Sequence, residues 1–371
     1  MKLASRLSIK SIVFAFLALI VITGCSSNSS SNTPDTNQAS NSNAEATAAP
    51  EETNADANTE SGEEASTQFP ITIKHAFGET IIESKPERVA TIAWANHDVA
   101  LALGVVPVGF SAANYGVQDD SGLLPWTAKK LEELGATDVN VYQDTAGLDY
   151  EAISDSNPDV ILAAYSGITQ EEYDTLSQIA PVVAYPTVPW VISWREQVQL
   201  NAAGMGMVAE GEQLIKETEQ LIADKASQYP ELKGVKAAFT YFSPSDLSSF
   251  YVYGTTDPRG EFLLELGMEF PESINSHFTP ETGFALTLSA ENADALNEAD
   301  ILVTYGDQAL LEALQADPLF SQVPAIKRGS MVLIPDGTAL AAAGNPNPLS
   351  IEYTTGEYLE LVADAIQKIN Q

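Results

Sequence analysis

"AEGEQLIKETEQLIADKASQ", Ala209 to Gln228, puts Leu214, Ile215, Thr218, Leu221 and Ile222 on one stripe of a helix. Apolar residues recurring at intervals of three and four mark an amphipathic helix. Helical character reaches back almost continuously to Ser193. Gly204, Gly206 and Gly211 should bend or break that earlier part, because glycine weakens a helix interior. Both flanks of this helix repeat one grammar, and that repetition sets the fold.

Upstream, "ITIKHAFGETIIES" (71–84) predicts a hairpin around Gly78, and "RVATIAW" (88–94) a short buried strand. The helix-like "HDVALALG" and the strand "VVPVGF" follow. "DYEAISDSNPDVILAAYS" (149–166) reads as helix, Asn-Pro turn and strand, and "TQEEYDTLSQIAPVVAYP" (169–186) as helix then strand. Downstream, "KAAFTYFS" is a strand, "PRGEFLLELGM" a helix, "SAENADALNEADILVTYG" a helix and strand, "GSMVLIP" a strand, and "LSIEYTTGEYLELVADAIQKI" a closing amphipathic helix. Strands alternating with helices predict parallel sheets of βα units. The fold class is therefore α/β: two Rossmann-like lobes, residues 69–192 and 229–371, joined through a helical region, 193–228, with a ligand cleft between them.

The N-terminus has another character. A basic "MKLASRLSIK" precedes the 13-residue, mostly apolar run "SIVFAFLALIVIT". A membrane-spanning helix needs about 20 apolar residues, so this run reads as a secretory signal. It ends in "ITGC", which resembles a bacterial lipoprotein cleavage box with Cys25 as the lipidated residue. Cys25 is the only cysteine, which excludes intrachain disulfides and thiol catalysis. Residues 26–68 contain no aromatic or basic residue until the globular part begins at Phe69. Such a composition buries too little apolar surface to fold and predicts a tether whose ends lie roughly 35 Å apart. Beyond it, 43 acidic residues face 14 lysines and arginines. That balance argues against nucleic acid and against a basic membrane-binding patch.

Only four arginines lie beyond the leader: Arg88, Arg195, Arg259 and Arg328. Two of them, Arg259 in "YVYGTTDPRGEFLLELG" and Arg195 in "PWVISWREQVQL", stand at helix starts, where the helix dipole disfavours cations. Ligands of open α/β sheets bind outside the carboxyl ends of the strands. The loops there are rich in Trp, Tyr, Asn and Ser, which suits a broad, planar or polyhydroxylated ligand better than a small ion.

The fragments "SKPERVATIAWANHDVALALGVVPVG", "DYEAISDSNPDVILAAYSG", "LSQIAPVV", "YVYGTTDPRGEFLLELG" and "LSAENADALNEADILVTYG", in this order over Phe69 to Gln371, resemble the substrate-binding lipoproteins of bacterial ABC importers. The resemblance is to the group serving ferric siderophores, haem and cobalamin. It implies lobes joined by one long helix, a ligand of one of these kinds, and no cofactor or catalysis; the two helix-start arginines and the acidic surface point to an anionic ferric siderophore. It also implies a monomer, anchored by lipid to the outer face of the cytoplasmic membrane, that serves a permease and, through it, an ATPase. By motif position, Glu151 and Glu291 match the glutamates with which that family docks on permease arginines.

On this reading Arg195 and Arg259 face the cleft and hold an anionic chelate, each desolvated contact contributing about 1.5–3 kcal/mol; the alternative is that Arg259 pairs with Asp257 or Glu261, and Arg195 with Glu196 or a neighbour. Trp94, Trp190 and Trp194 would stack on the ligand. Tyr115, Tyr165, Tyr241 and Tyr305 follow strands, and Asn96, His97, Asn345 and Asn347 are polar loop donors. Trp126 reads as a packing anchor, and Lys327 and Arg328 as part of a surface turn. His75, His97 and His277 are too scattered for direct metal binding. Haem or cobalamin is the alternative ligand, with His97 or a loop tyrosine as the axial group that haem wants. A secreted α/β hydrolase is the alternative of another class; "GFSAA" (109–113) lacks the last glycine of a nucleophile elbow.

Overall fold

The computed structural model describes residues 68–117, 119–144, 146–279 and 282–370. The signal segment, Cys25 and the tether up to residue 67 lie outside the described residues. Among the described residues no helix is long and apolar enough to cross a membrane.

The first lobe opens with the antiparallel hairpin β1 (Ile71–His75) and β2 (Gly78–Ile82), turning at Gly78 with φ 123°. Then come β3 (Val89–Thr91), α1 (Asn96–Ala102), β4 (Gly109–Ser111), α2 (Pro125–Glu133), β5 (Val141–Tyr142), α3 (Tyr150–Asp155), β6 (Val160–Ala163), α4 (Gln170–Leu176) and β7 (Val182–Ala184). The five strands after the hairpin form one parallel sheet in the order β5-β4-β3-β6-β7. Helices cover both faces of such a sheet, so its strands are buried and mostly apolar. All four residues of β6 are buried, as are all three of β7.

Two helices, α5 (Trp194–Gly204) and α6 (Val208–Ala226), lead to the second lobe. The helical region of 193–228 is thus broken once, at Gly206, whose φ of 67° ends α5. Of the other two glycines, Gly204 closes α5, and Gly211 stays inside α6 without breaking it. Ser193 caps α5 in a capping box with Glu196. The stripe that identified α6 is one-sided in the structure, with Gly211, Ile215, Thr218 and Ile222 buried. Helix α6 packs on α5 and on the C-terminal helix, spanning the lobes.

The second lobe contains β8 (Ala237–Ser243), β9 (Asp246–Tyr253), α7 (Pro258–Glu265), α8 (Glu272–Asn275), β10 (Ala285–Ser289), β11 (Ile301–Tyr305), α9 (Gln308–Ala316), α10 (Pro324–Arg328), β12 (Met331–Ile334), α11 (Ala339–Ala342) and α12 (Pro348–Gln367). The stretch Ala290–Glu298, expected as α-helix, is a 3-10 helix kinked at Asn292. The sheet order is β10-β9-β8-β11-β12, and β9 and β10 run antiparallel to their neighbours. This departs from a second all-parallel lobe. Only Pro244 and Ser245 separate β8 from β9, enough for a hairpin and far too few for a parallel crossover.

The lobes share a core. Val99, Trp194 and Val198 of the first lobe side pack in one cluster with Ile215 and Ile222 of α6 and with Phe239, Leu263 and Val362 of the second. A polar junction lies beside it. The fully buried Asp98 accepts from Trp126 Nε1 (2.7 Å) and Thr127 Oγ1 (2.6 Å) in the first lobe, and from Asn347 Nδ2 (3.0 Å) at the start of α12. Trp126 is the packing anchor its sequence context predicts, 2% exposed.

Candidate functional site

All five parallel strands of the first lobe end at one edge, and the loop after each contributes to a cleft of about 500 Å³. Trp94 follows β3, Ser111 and Tyr115 come from β4 and its loop, Asp144 and Leu148 follow β5, Tyr165 and Gly167 follow β6, and Trp190 follows β7. The second lobe supplies Asp257 and Arg259 at the start of α7, Phe284 before β10, Tyr305 at the end of β11, and Ala341 and Asn345 after β12. The volume suits a drug-sized organic ligand.

Arg259 is the cation of this cleft. Its guanidinium lies 4.1 Å from the centre of the Tyr253 ring and donates from Nη1 to Asn345 Oδ1. Tyr165, across the cleft, donates its hydroxyl to the same oxygen at 3.0 Å. Asp257 Oδ1 stands 3.4 Å from Arg259 Nε and accepts the Arg259 backbone N–H at 2.9 Å. One carboxylate thus caps α7 and offsets the cation in its first turn, which answers the dipole objection. Desolvation opposes the charge on Arg259, Asp257 supports it, and the balance lies above the ordinary arginine value. Burial raises the Asp257 carboxyl, and Arg259 pulls it back only in part. Arg259 Nε is buried and makes no hydrogen bond.

Aromatic rings form the walls. Trp190, 37% exposed, meets Tyr165 edge-on with centroids 5.2 Å apart. Its backbone is left-handed, φ 64°, and its N–H is held by Ser166 O at 3.1 Å. Tyr305 packs on Phe239 at 5.1 Å and edge-on to Tyr115 at 6.5 Å. The Tyr115 hydroxyl donates across the cleft to Asp336 and accepts from Gly337 N–H at 3.1 Å; burial, with Asp336, pushes it up to about 12.

Several lining residues escaped the sequence reading. Ser111 Oγ accepts from Ala93 N–H at 2.8 Å and donates to Asp144, whose carboxyl burial pushes upward. Asp144 follows a strand of only two residues, too short to announce itself in sequence. Asn114, Glu172, Asp257 and Phe284 also line the cleft. Ser111, Asn114 and Asp257 do fall in strand-following loops, which was the available signal.

Six expected ligand contacts lie elsewhere. Arg195 points at acids: its Nε is 2.6 Å from Glu219 Oε1, its Nη1 bonds Glu265, and its guanidinium lies 4.4 Å from the centre of the Trp194 ring. Trp194 is 2% exposed and donates Nε1 to Glu265 at 3.1 Å. Asn96 is fully buried, its amide donating to Ile92 O at 2.8 Å and to Tyr165 O at 3.1 Å while accepting Tyr165 N–H. His97 is 4% exposed and stacked on Phe110 at 4.9 Å; burial lowers its pKa and keeps it neutral, despite Asp98. It cannot serve as an axial haem ligand from there. Tyr241 pairs across the β8–β9 hairpin with Tyr251. Asn347 is spent on Asp98 and on capping α12. Trp94, Tyr115, Tyr165, Trp190, Arg259, Tyr305 and Asn345 do meet in the cleft.

Glu151 and Glu291 are exposed, in the first turns of α3 and of the 3-10 helix Ala290–Glu298. Arg328 is fixed by Asp300 O at 2.7 Å. Among the described residues no three of His, Cys, Asp or Glu are grouped to hold a metal ion.

Comparison with known proteins matches residues 89–338 to a family model described as "Periplasmic binding protein". The crystal structure of PiaA from Streptococcus pneumoniae TIGR4 in complex with ferrichrome superposes with a TM-score of 0.78 at 53% identity, over 80% of this chain and 99% of that one. The probable siderophore-binding lipoprotein YfiY of Bacillus subtilis is 23% identical over 248 residues, 66% of this chain and 71% of YfiY. The ferric enterobactin-binding periplasmic protein FepB of Escherichia coli is 24% identical over 272 residues, 70% of this chain and 82% of FepB.

Proposed function

Because this chain belongs to the periplasmic binding protein family, we propose that it captures a ferric siderophore of the uncharged trihydroxamate class between its lobes and delivers it to an ABC permease. The observation that carries the ligand class is the charge balance of the cleft. Among the described residues Arg259 is the one basic residue lining it, and Asp257 already answers that charge. Asp144 and Glu172 add carboxylates with no cation beside them in the lining. Arg195 is turned away towards Glu219 and Glu265, so no second guanidinium meets an anionic chelate in the cleft. A tris-catecholate chelate of Fe(III) is a trianion and would meet like charge, whereas a trihydroxamate chelate is neutral. Like-charge juxtaposition at an interface costs several kcal/mol, about three orders of magnitude in affinity. Ferrichrome, named with the PiaA structure, is of the neutral kind.

Arg259 then serves as a hydrogen-bond fork for hydroxamate oxygens, with Trp94, Trp190 and Tyr305 supplying apolar walls. Ser111 donates to a carboxylate rather than to an imidazole base, which supports binding without turnover. The exposed Glu151 and Glu291 are the proposed permease contacts. Cys25 is the proposed lipid anchor on the outer face of the membrane, from which a monomer works through its tether. ATP hydrolysis by a separate subunit drives release.

Titrating the protein with a ferric trihydroxamate and a ferric tris-catecholate, while following tryptophan fluorescence, tests this. Saturable quenching by the first at least about a hundred-fold tighter than by the second is expected. Tighter binding of the trianion overturns the ligand class.

A further inference from the structure

Arg195 belongs to a side-chain cluster outside the cleft. Arg195, the second residue of α5, bonds Glu219 of α6 and Glu265 at the end of α7, and stands 4.0 Å from Glu261 of α7. Trp194 donates to the same Glu265 and lies under the guanidinium. Helix α5 packs on β1, β6 and β7 of the first lobe, and α7 packs on β8 of the second. This ion pair therefore crosses between the lobes.

Both ends of the crossing lead directly to cleft walls. Trp190 precedes Arg195 by five residues, through the short bridge between Val188 and Val191 and the capped start of α5. Arg259 precedes Glu265 by six residues in one unbroken helix, about 9 Å of axis. A continuous path thus runs from the Trp190 wall through Arg195 and Glu265 to the Arg259 guanidinium. Glu265, only 12% exposed, is ordered by two donors, so the path has little slack.

We infer that Arg195 is a positioning residue for ligand capture: by holding the end of α7 against the start of α5 it fixes the distance between Trp190 and Arg259. The inference rests on the cleft being the ligand site. An isolated surface ion pair would only add stability and would leave ligand affinity alone.

A mutant cycle separates these. Arg195→Ala should weaken binding of a ferric trihydroxamate about ten-fold, the mid-range of coupling within one hydrogen-bonded network. Glu265→Gln should do the same, and Arg195→Lys should recover most of the loss. In an Arg259→Lys background, where the fork is already gone, Arg195→Ala should change affinity by less than about two-fold. Equal losses in both backgrounds, or no loss in either, overturn the inference. A second readout needs no ligand: nitroxide labels at the exposed Val188 and Phe284, in a Cys25→Ser background, report the width of the cleft mouth by electron–electron distance measurement. The distance distribution should broaden on Glu265→Gln or Arg195→Lys, each mild enough to fold; an unchanged distribution overturns the proposal. Should the unaltered protein bind no ferric hydroxamate, the ligand reading fails while the distance measurement still decides the role of Arg195.

Discussion

Trp190 lies so close to Gly167 that a Cβ on Gly167 would stand 2.4 Å from the indole Nε1. The glycine is needed for space here, since its backbone is not in the left-handed region. Gly167→Ala should swing the indole out of the cleft wall. We expect ligand affinity to fall by several-fold and quenching amplitude to drop, with stability changed by no more than about 1 kcal/mol because Trp190 is already part-exposed. Fluorescence titration beside urea unfolding checks both numbers.

Arg259 and Asp257 should be inseparable for folding and separable for binding. Arg259→Ala leaves Asp257, 1% exposed, as a buried charge without its partner, a loss of about 3–5 kcal/mol. The double change Asp257→Asn with Arg259→Met removes both charges and should recover most of that stability. Its affinity for a ferric chelate should nevertheless remain at least about ten-fold down, since the fork is absent. Thermal unfolding paired with calorimetric titration distinguishes the two effects.

Glu261 predicts a pH dependence of stability. Its carboxyl is pushed up to about 7 by burial first and then by Glu265, against the pull of Arg195, with Glu196 and Asp257 adding repulsion. A carboxyl raised in the folded state binds more protons there than in the unfolded chain, so stability falls as pH rises from about 4.5 to about 7 and is level above. Glu261→Gln removes this contribution. Melting at about pH 8 should rise by roughly 2–4 °C relative to the unaltered protein, with less gain at about pH 5.5.

Glu151 and Glu291 should matter to transport alone. Reversing both to lysine should leave ferric chelate binding by the purified protein unchanged, as neither lines the cleft. If the proposed docking holds, uptake of labelled iron by cells that depend on this protein should fall by at least about ten-fold, because reversed charges would repel a basic docking surface on the permease. Retained uptake would remove these two residues from the docking surface.

The lobes were legible because parallel strands buried on both faces read as short apolar runs, as in Val160–Ala163, and because α6 carries its stripe at helical spacing. The β9 strand was harder to place. Its alternating exposure fits an antiparallel ribbon, and sequence alone did not say which neighbour it pairs with. Most of the loops that the rule about strand ends pointed to do line the cleft, the β8–β9 turn excepted, but side-chain direction depended on partners remote in sequence. Arg195 is claimed by Glu219 and Glu265, 24 and 70 positions away. Asn96 looked like a free loop amide, yet the backbone of Tyr165, 69 positions on, consumes it. Arg259 does stand in the cleft lining, and its neutralising acid is local, two residues before it.

Asp98 makes the two halves of this molecule a single thermodynamic body. A carboxylate with no exposed surface, satisfied jointly by Trp126 and Thr127 on one side and Asn347 on the other, with His97 Nε2 3.4 Å away, loses a donor set if one half lets go. Heating should therefore give one calorimetric peak rather than two, and a fragment ending before α12 should not survive as an independently folded piece.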